Sequence, residues 1–286
     1  MVEVVAFPTV TPLGHSTPTQ SCEWLRHFAA ASLYLAVPLN WVLCSYKAAV
    51  SIDTYVICST PRTGSTLLCE LLTSTGIAGT PHSYFRSQDI DRRAAEWGLS
   101  LGWRFTSYSE AVRRFTSSAN GVVGLRVMWG TLDEIFNELR PLHGNIDDLA
   151  LLEAEFGDVR YIYLRREDLI GQAISLFKAE KSNYWHSTQP GVPSREVRYN
   201  YEEIEKRVAS LKNDDAAWVE WFRSVGIEPF SVTYEDLELN PIDATTNVLR
   251  YLDLEYSGEF FAPNEKLADE KTEDWRERYL RRANAT

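Results

Sequence analysis

Eight consecutive residues, Ser59-Thr60-Pro61-Arg62-Thr63-Gly64-Ser65-Thr66, bring together a guanidinium, a glycine and a crowd of hydroxyls. That set has little use in a core and much use around an anion. Loop N–H groups, hydroxyls and the positive end of a following helix converge on a phosphate. A triphosphate-binding loop reads G-x-x-x-x-G-K-[ST], with the lysine on the β- and γ-phosphates and the last hydroxyl on magnesium. Here Ser59 stands in the place of the first glycine and Ser65 in the place of the lysine. The cation has moved forward to Arg62. The loop therefore suits a single phosphate or phosphosulfate group. The plainer alternative is a strand–helix turn in which Ser65 caps the helix.

A second cationic group stands at Arg165-Arg166-Glu167-Asp168, directly after the apolar run Val159–Leu164. A magnesium-dependent triphosphatase would end such a strand in a metal-binding aspartate. Two arginines make a cation site instead, and the arginine fork matches phosphate geometry. Taken alone, the run reads equally as a solvated helix start with local ion pairs. His82 is a third reactive group, in a loop punctuated by Gly76, Gly79 and Pro81. Its ordinary pKa suits a proton acceptor at neutral pH.

These residues need elements to hold them. Tyr55-Val56-Ile57-Cys58 is short, apolar and β-branched, so it reads as a buried strand leading into the loop. Leu67, Leu68, Leu71 and Leu72 fall on one helical face leading out, with a stop near Gly76. Gly121–Trp129 is strand-like, with Arg126 near the end of an otherwise apolar run. Asp89 is placed to cap a short helix, Tyr108–Phe115 reads as a surface helix, and Thr131–Leu139 as a helix stopped by Pro141. Ile146–Phe156 reads as a helix or a bridging loop. Leu169–Lys181 and Tyr201–Val225 read as helices, Phe230–Tyr234 as a strand, and Pro241–Leu252 as a helix with proline at a tolerated first position. In Glu265–Arg282, Trp275 and Tyr279 share a helical face. Alternating strands and helices give an α/β domain with a parallel sheet, its ligands at the carboxyl ends of the strands.

The loop resembles the 5′-phosphosulfate loop of sulfotransferases that use 3′-phosphoadenosine 5′-phosphosulfate (PAPS). Tyr55–Gly79 is similar in particular to the bacterial trehalose 2-sulfotransferase family, and the resemblance runs in patches from Ile52 to Arg282. It implies a P-loop-like three-layer fold around a central parallel sheet. It also implies PAPS as donor, held by Ser59, Arg62, Thr63, Gly64, Ser65 and Thr66, with Arg166 and Ser175 on the 3′-phosphate. Tyr234-Glu235-Asp236-Leu237 with Asn240-Pro241, and Asp274-Trp275, resemble further family elements. The acceptor implied is a carbohydrate or glycolipid hydroxyl, and similar proteins are often homodimers. Where the trehalose enzymes carry a glutamate thought to be the base, this chain has Ser83. His82 beside it takes that role in our reading, with Glu96 a more distant candidate. Arg62 and the loop N–H groups are assigned to the transferring group, and no metal is required.

The net charge of −11 excludes a nucleic-acid or anionic-membrane surface as the main partner. It also requires the arginines that bind an anion to be concentrated locally. Cys22, Cys44, Cys58 and Cys69 lack zinc spacing, and the latter two sit on the expected core strand and helix. Buried thiols point to a reducing, cytoplasmic compartment. Residues 1–50 form an extension outside the sulfotransferase domain of residues 51–286. It opens on a Pro-, Thr- and Ser-rich tail. An apolar stretch follows, but charges and Pro38 interrupt it below the roughly 20 clean residues that a bilayer span needs. Peripheral membrane contact through it is one expectation, and dispensability is another. The aromatic loop Tyr184–Val197 reads as either a sugar-pocket wall or a surface anchor. Two other functions stay open at this stage: an ATP-dependent small-molecule kinase, and a non-catalytic nucleotide- or glycan-binding protein.

Overall fold

The computed structural model describes residues 52–185, 197–261 and 270–285. The expectations for residues 1–50 and for the middle of the Tyr184–Val197 loop lie outside them. Four parallel strands form one sheet: β1 (Thr54–Ser59), β2 (Val123–Met128), β3 (Val159–Arg165) and β4 (Phe230–Thr233), in the order β2-β1-β3-β4. Ser59 pairs with Met128 on one side and Leu164 on the other, so the residues after Ser59 leave from the middle of the sheet.

The helices are α1 (Ser65–Ser74), α2 (Ser87–Glu96), α3 (Phe105–Thr116), α4 (Trp129–His143), α5 (Asp148–Phe156), α6 (Leu169–Ser182), α7 (Tyr201–Val225), α8 (Tyr234–Leu239), α9 (Pro241–Tyr251) and α10 (Glu270–Ala283). Successive β1 side chains point to opposite faces, and both faces are covered. Val56 and Cys58 join a core with Leu125, Tyr163, Trp218 and Phe222. Tyr55 and Ile57 join another with Leu68, Leu72, Ile162 and Val248. Each such buried side chain contributes about 1.5–3 kcal/mol of transfer free energy. A third cluster, with Phe177, Ile204, Trp275 and Tyr279, ties α6, α7 and α10 together. This is the P-loop-like three-layer arrangement that the sequence implies.

Several element ends differ from expectation for local reasons. Helix α1 is capped by Gly64, in the left-handed region at φ 76°, and Ser65 is the first helical residue. Asp89 lies in the first turn of α2 and not at its cap, which is Arg86. There its charge faces the helix dipole and pairs with Arg86 and Arg92. Pro141 does not stop α4, which runs on to His143. In the last turn a missing N–H removes only one bond at a fraying end. Strand β4 ends at Thr233, whose hydroxyl accepts from the Asp236 N–H and starts α8 at Tyr234. No helix among the described residues is long and apolar enough to cross a membrane.

Candidate functional site

The loop between β1 and α1 is fixed from below by side chains distant in sequence. The Trp218 indole N–H donates to the Ser59 carbonyl at 3.1 Å. The Gln172 amide, buried on α6, donates to Thr60 Oγ1 at 2.9 Å and to the Pro61 carbonyl at 2.7 Å. Thr63 Oγ1 donates back to the Thr60 carbonyl at 3.0 Å. The chain turns through left-handed conformations at Arg62 (φ 67°) and Gly64. The first N–H groups of α1 have no intrahelical acceptor and sit at the positive end of its dipole.

On the β3 side of this loop two guanidiniums meet. Arg62 Nε donates to Ser175 Oγ at 2.9 Å and its Nη1 to the Trp185 carbonyl at 2.7 Å. Arg166 lies over the Tyr234 ring at 4.2 Å, with Nη1 3.4 Å from the Arg62 carbonyl. Burial, and then the like charge of Arg166, lower the Arg62 pKa. The nearest carboxylate oxygen to Arg166, on Asp168, is 3.7 Å away. That aspartate also caps α6 through the Gly171 N–H and faces Arg276. Among the described residues, buried Arg166 Nε has no hydrogen-bond partner. Two crowded cations, an orphaned donor and a hydroxyl are the donor set that a phosphate would complete. Ser59 ends β1 with its buried hydroxyl against Met128 Sδ at 3.5 Å, Thr63 and Gly64 lie in the loop, and Ser65 and Thr66 open α1, while Arg62, Arg166 and Ser175 converge beside them. The Arg62 side chain is turned toward Ser175, so the loop and the β3 end form one continuous cradle.

The β2 side is built differently. Arg126, at the end of β2, donates from Nε to Ser83 Oγ at 2.9 Å and from Nη1 to Thr66 Oγ1 at 3.1 Å. The His82 carbonyl accepts from the Arg126 N–H at 3.1 Å, which pairs the loop with the edge of β2. Arg93, from α2, sits 2.9 Å from His82 Nδ1. Since arginine only donates, Nδ1 is the acceptor and the neutral ring carries its proton on Nε2. Burial, Arg126 and Arg93, in that order, lower His82 to about 4, against smaller opposing effects from the Ser83 backbone and Asp89. The residue keeps one side in solvent, which softens the burial effect, but the two cations act in the same direction. The expectation that His82 is the base therefore meets a physical objection: its lone pair is engaged and its proton affinity is low. Glu96, the more distant candidate, is exposed and paired with Arg92.

The model of the Stf0 sulphotransferase family matches residues 54–282, which hold both cationic regions and the sheet between them. The chain belongs to the Stf0 sulphotransferase family. Among curated relatives, this Stf0 member is 25% identical over 261 residues to a trehalose 2-sulfotransferase of Mycolicibacterium smegmatis, covering 80% of this chain and 95% of that protein. It is 25% identical over 257 residues to a trehalose 2-sulfotransferase of Mycobacterium tuberculosis, covering 79% and 93%. Among solved structures, a sulfotransferase domain from the Synechococcus PCC 7002 olefin synthase matches at a TM-score of 0.37 and 17% identity, covering 78% of this chain and 86% of that one. The protein is a sulfotransferase.

Sequence reasoning missed Tyr234, Gln172 and Trp218 as builders of the Stf0 site. Tyr234 packs where a side chain on Gly64 would go, since a Cβ there would lie 2.8 Å from Tyr234 Cδ2. Its position in the Tyr-Glu-Asp-Leu element was the available signal. Arg126 was visible as a charge inside an apolar run.

Proposed function

We propose that the donor is PAPS and that the acceptor is a hydroxyl of a carbohydrate or glycolipid. The observation that carries the donor assignment is the Arg62–Arg166 pair beside Ser175, with its orphaned Nε and the Asp168 carboxylate no closer than 3.7 Å. The names of the relatives, both trehalose 2-sulfotransferases, support a sugar acceptor. Cys58 and Cys69 are free and buried, which fits work in a reducing cytoplasm.

In this reading the acceptor oxygen attacks sulfur, the bond from sulfur to the 5′-phosphate breaks, and adenosine 3′,5′-bisphosphate leaves. The N–H groups of residues 63–66 hold the transferring group and the leaving phosphate, where negative charge gathers. Arg166 and Ser175 hold the 3′-phosphate, and Arg62 spans from the loop to Ser175. His82 meets the acceptor with its Nε2–H, and the acceptor proton leaves by way of water. Positioning and fixed dipoles supply most of the acceleration, as in phosphoryl transfer.

Calorimetric titration of adenosine 3′,5′-bisphosphate tests the donor site. Wild type binds, and Arg166→Ala weakens binding about 10- to 100-fold, the effect of losing a charge-assisted pair. An unchanged dissociation constant removes the assigned 3′-phosphate site. Tight binding of ATP with magnesium and none of the bisphosphate turns the reading toward a kinase. Binding without turnover of PAPS on a panel of sugars turns it toward a carrier protein.

A further inference from the structure

The sequence contains 40 acidic and 29 basic residues, so a carboxylate is the default neighbour of an arginine. Most arginines here have one: Arg140 with Asp148, Arg207 with Glu180 and Arg282 with Glu202 are examples. Among the described residues Arg126 and Arg93, like Arg62 of the loop, have none. Among the described residues, the Arg126 guanidinium bonds only the hydroxyls of Ser83 and Thr66. Arg93 bonds the His82 ring and lies over Tyr84, 5.0 Å from its centroid, while its Nε is buried without a partner. Two cations thus flank one histidine, and the opposing charge of Asp89, itself paired with Arg86 and Arg92, acts on that ring less than either of them does.

The donor does not account for this charge. In the order β2-β1-β3, the Arg166–Ser175 cradle lies on the β3 side of the loop, and Arg126, His82 and Arg93 lie on the β2 side. A donor stretched from the loop toward β3 leaves the β2 side to the other substrate. Arg126 also touches Thr66 in the first turn of α1, so the charge stands beside the transferring group and not at a remote rim.

We infer that the acceptor carries a negatively charged group, a carboxylate, phosphate or sulfate ester, which Arg126 and Arg93 hold at the β2 edge while a neighbouring hydroxyl faces the loop. The inference rests on the sulfuryl-transfer reading above. It separates this chain from an enzyme for a neutral disaccharide.

The test uses the full chain saturated with adenosine 3′,5′-bisphosphate. Glucose 6-phosphate, glucuronate and trehalose 6-phosphate are titrated beside glucose and trehalose. At least one anionic sugar binds about tenfold tighter than its neutral parent, the effect of one well-placed charge pair. Arg126→Gln and Arg93→Gln each abolish that preference and leave bisphosphate affinity within about twofold. Arg126→Lys keeps the charge and most of the preference. The inference is overturned if no anionic sugar outbinds its parent, or if Arg126→Lys loses as much as Arg126→Gln. It is also overturned if Arg126→Gln weakens the bisphosphate as much as Arg166→Ala does, since Arg126 then serves the donor. Failure of wild type to bind the bisphosphate at all would instead sink the donor reading, and this inference with it.

Discussion

Arg62 holds a backbone conformation that L-residues rarely adopt, at φ 67°. Strain of this kind costs about 1–3 kcal/mol and persists where the surroundings over-determine it. Here the Gln172 amide, Thr63 and Trp218 pin the flanking carbonyls and hydroxyls. His82 shows the opposite case, a residue whose chemistry is set by its neighbours. Its pKa falls from 6.5 to about 4, so between those values the unfolded chain binds more protons than the folded one. Stability from this group is complete above about pH 6.5 and is lost as pH falls toward 4. Denaturant midpoints across that window should drop more steeply for wild type than for His82→Asn, and parallel curves would contradict the assigned environment. The place of the loop was readable from residue types, because hydroxyls, glycine and arginine between a β-branched run and a leucine-rich one mark a strand–helix turn. The surroundings of His82 were not readable, because nothing local announces Arg93, eleven residues ahead, or Arg126, on another strand.

Strand β1, its loop and α1 form the unit that everything else supports. Its periodicity made it plain in the sequence: β-branched residues before the loop, leucines at helical spacing after it. The ends were less plain, because caps and stops depend on tertiary neighbours. Gly64 takes the cap because its left-handed φ and the Tyr234 ring leave no room for a side chain. Gly64→Ala should cost about 1–2 kcal/mol for the conformation alone. By displacing Tyr234 from Arg166 it should also weaken bisphosphate binding, and calorimetry with a melting curve reads both. Tyr55 ties the same strand to the loop beyond α1, since its buried hydroxyl donates to the Ala78 carbonyl at 2.7 Å. Tyr55→Phe orphans that carbonyl and should cost about 1–3 kcal/mol in urea unfolding.

At the scale of the molecule, an acidic protein gathers cations along the carboxyl edge of one sheet, where the proposed donor would bind. Affinity for the bisphosphate should therefore fall from low salt to about 0.5 M salt as screening shortens the reach of those charges. The unit from Ala49 to Thr286 is compact by its own contacts, and the family match lies within it. A chain of residues 51–286 should fold and bind the bisphosphate within about twofold of the full chain, whereas an insoluble product would show that residues 1–50 are needed. The architecture was legible because strands alternate with helices. The strand order was not, and the division of labour that we propose across the sheet depends on which strand lies beside β1. The pairing of His82 with Leu125 at the edge of β2 has one more consequence. It rivets the segment that faces the acceptor in our proposal to the rigid frame, so new substrate tastes in this lineage would arise by exchanging side chains on a fixed peg rather than by rebuilding a wandering flap.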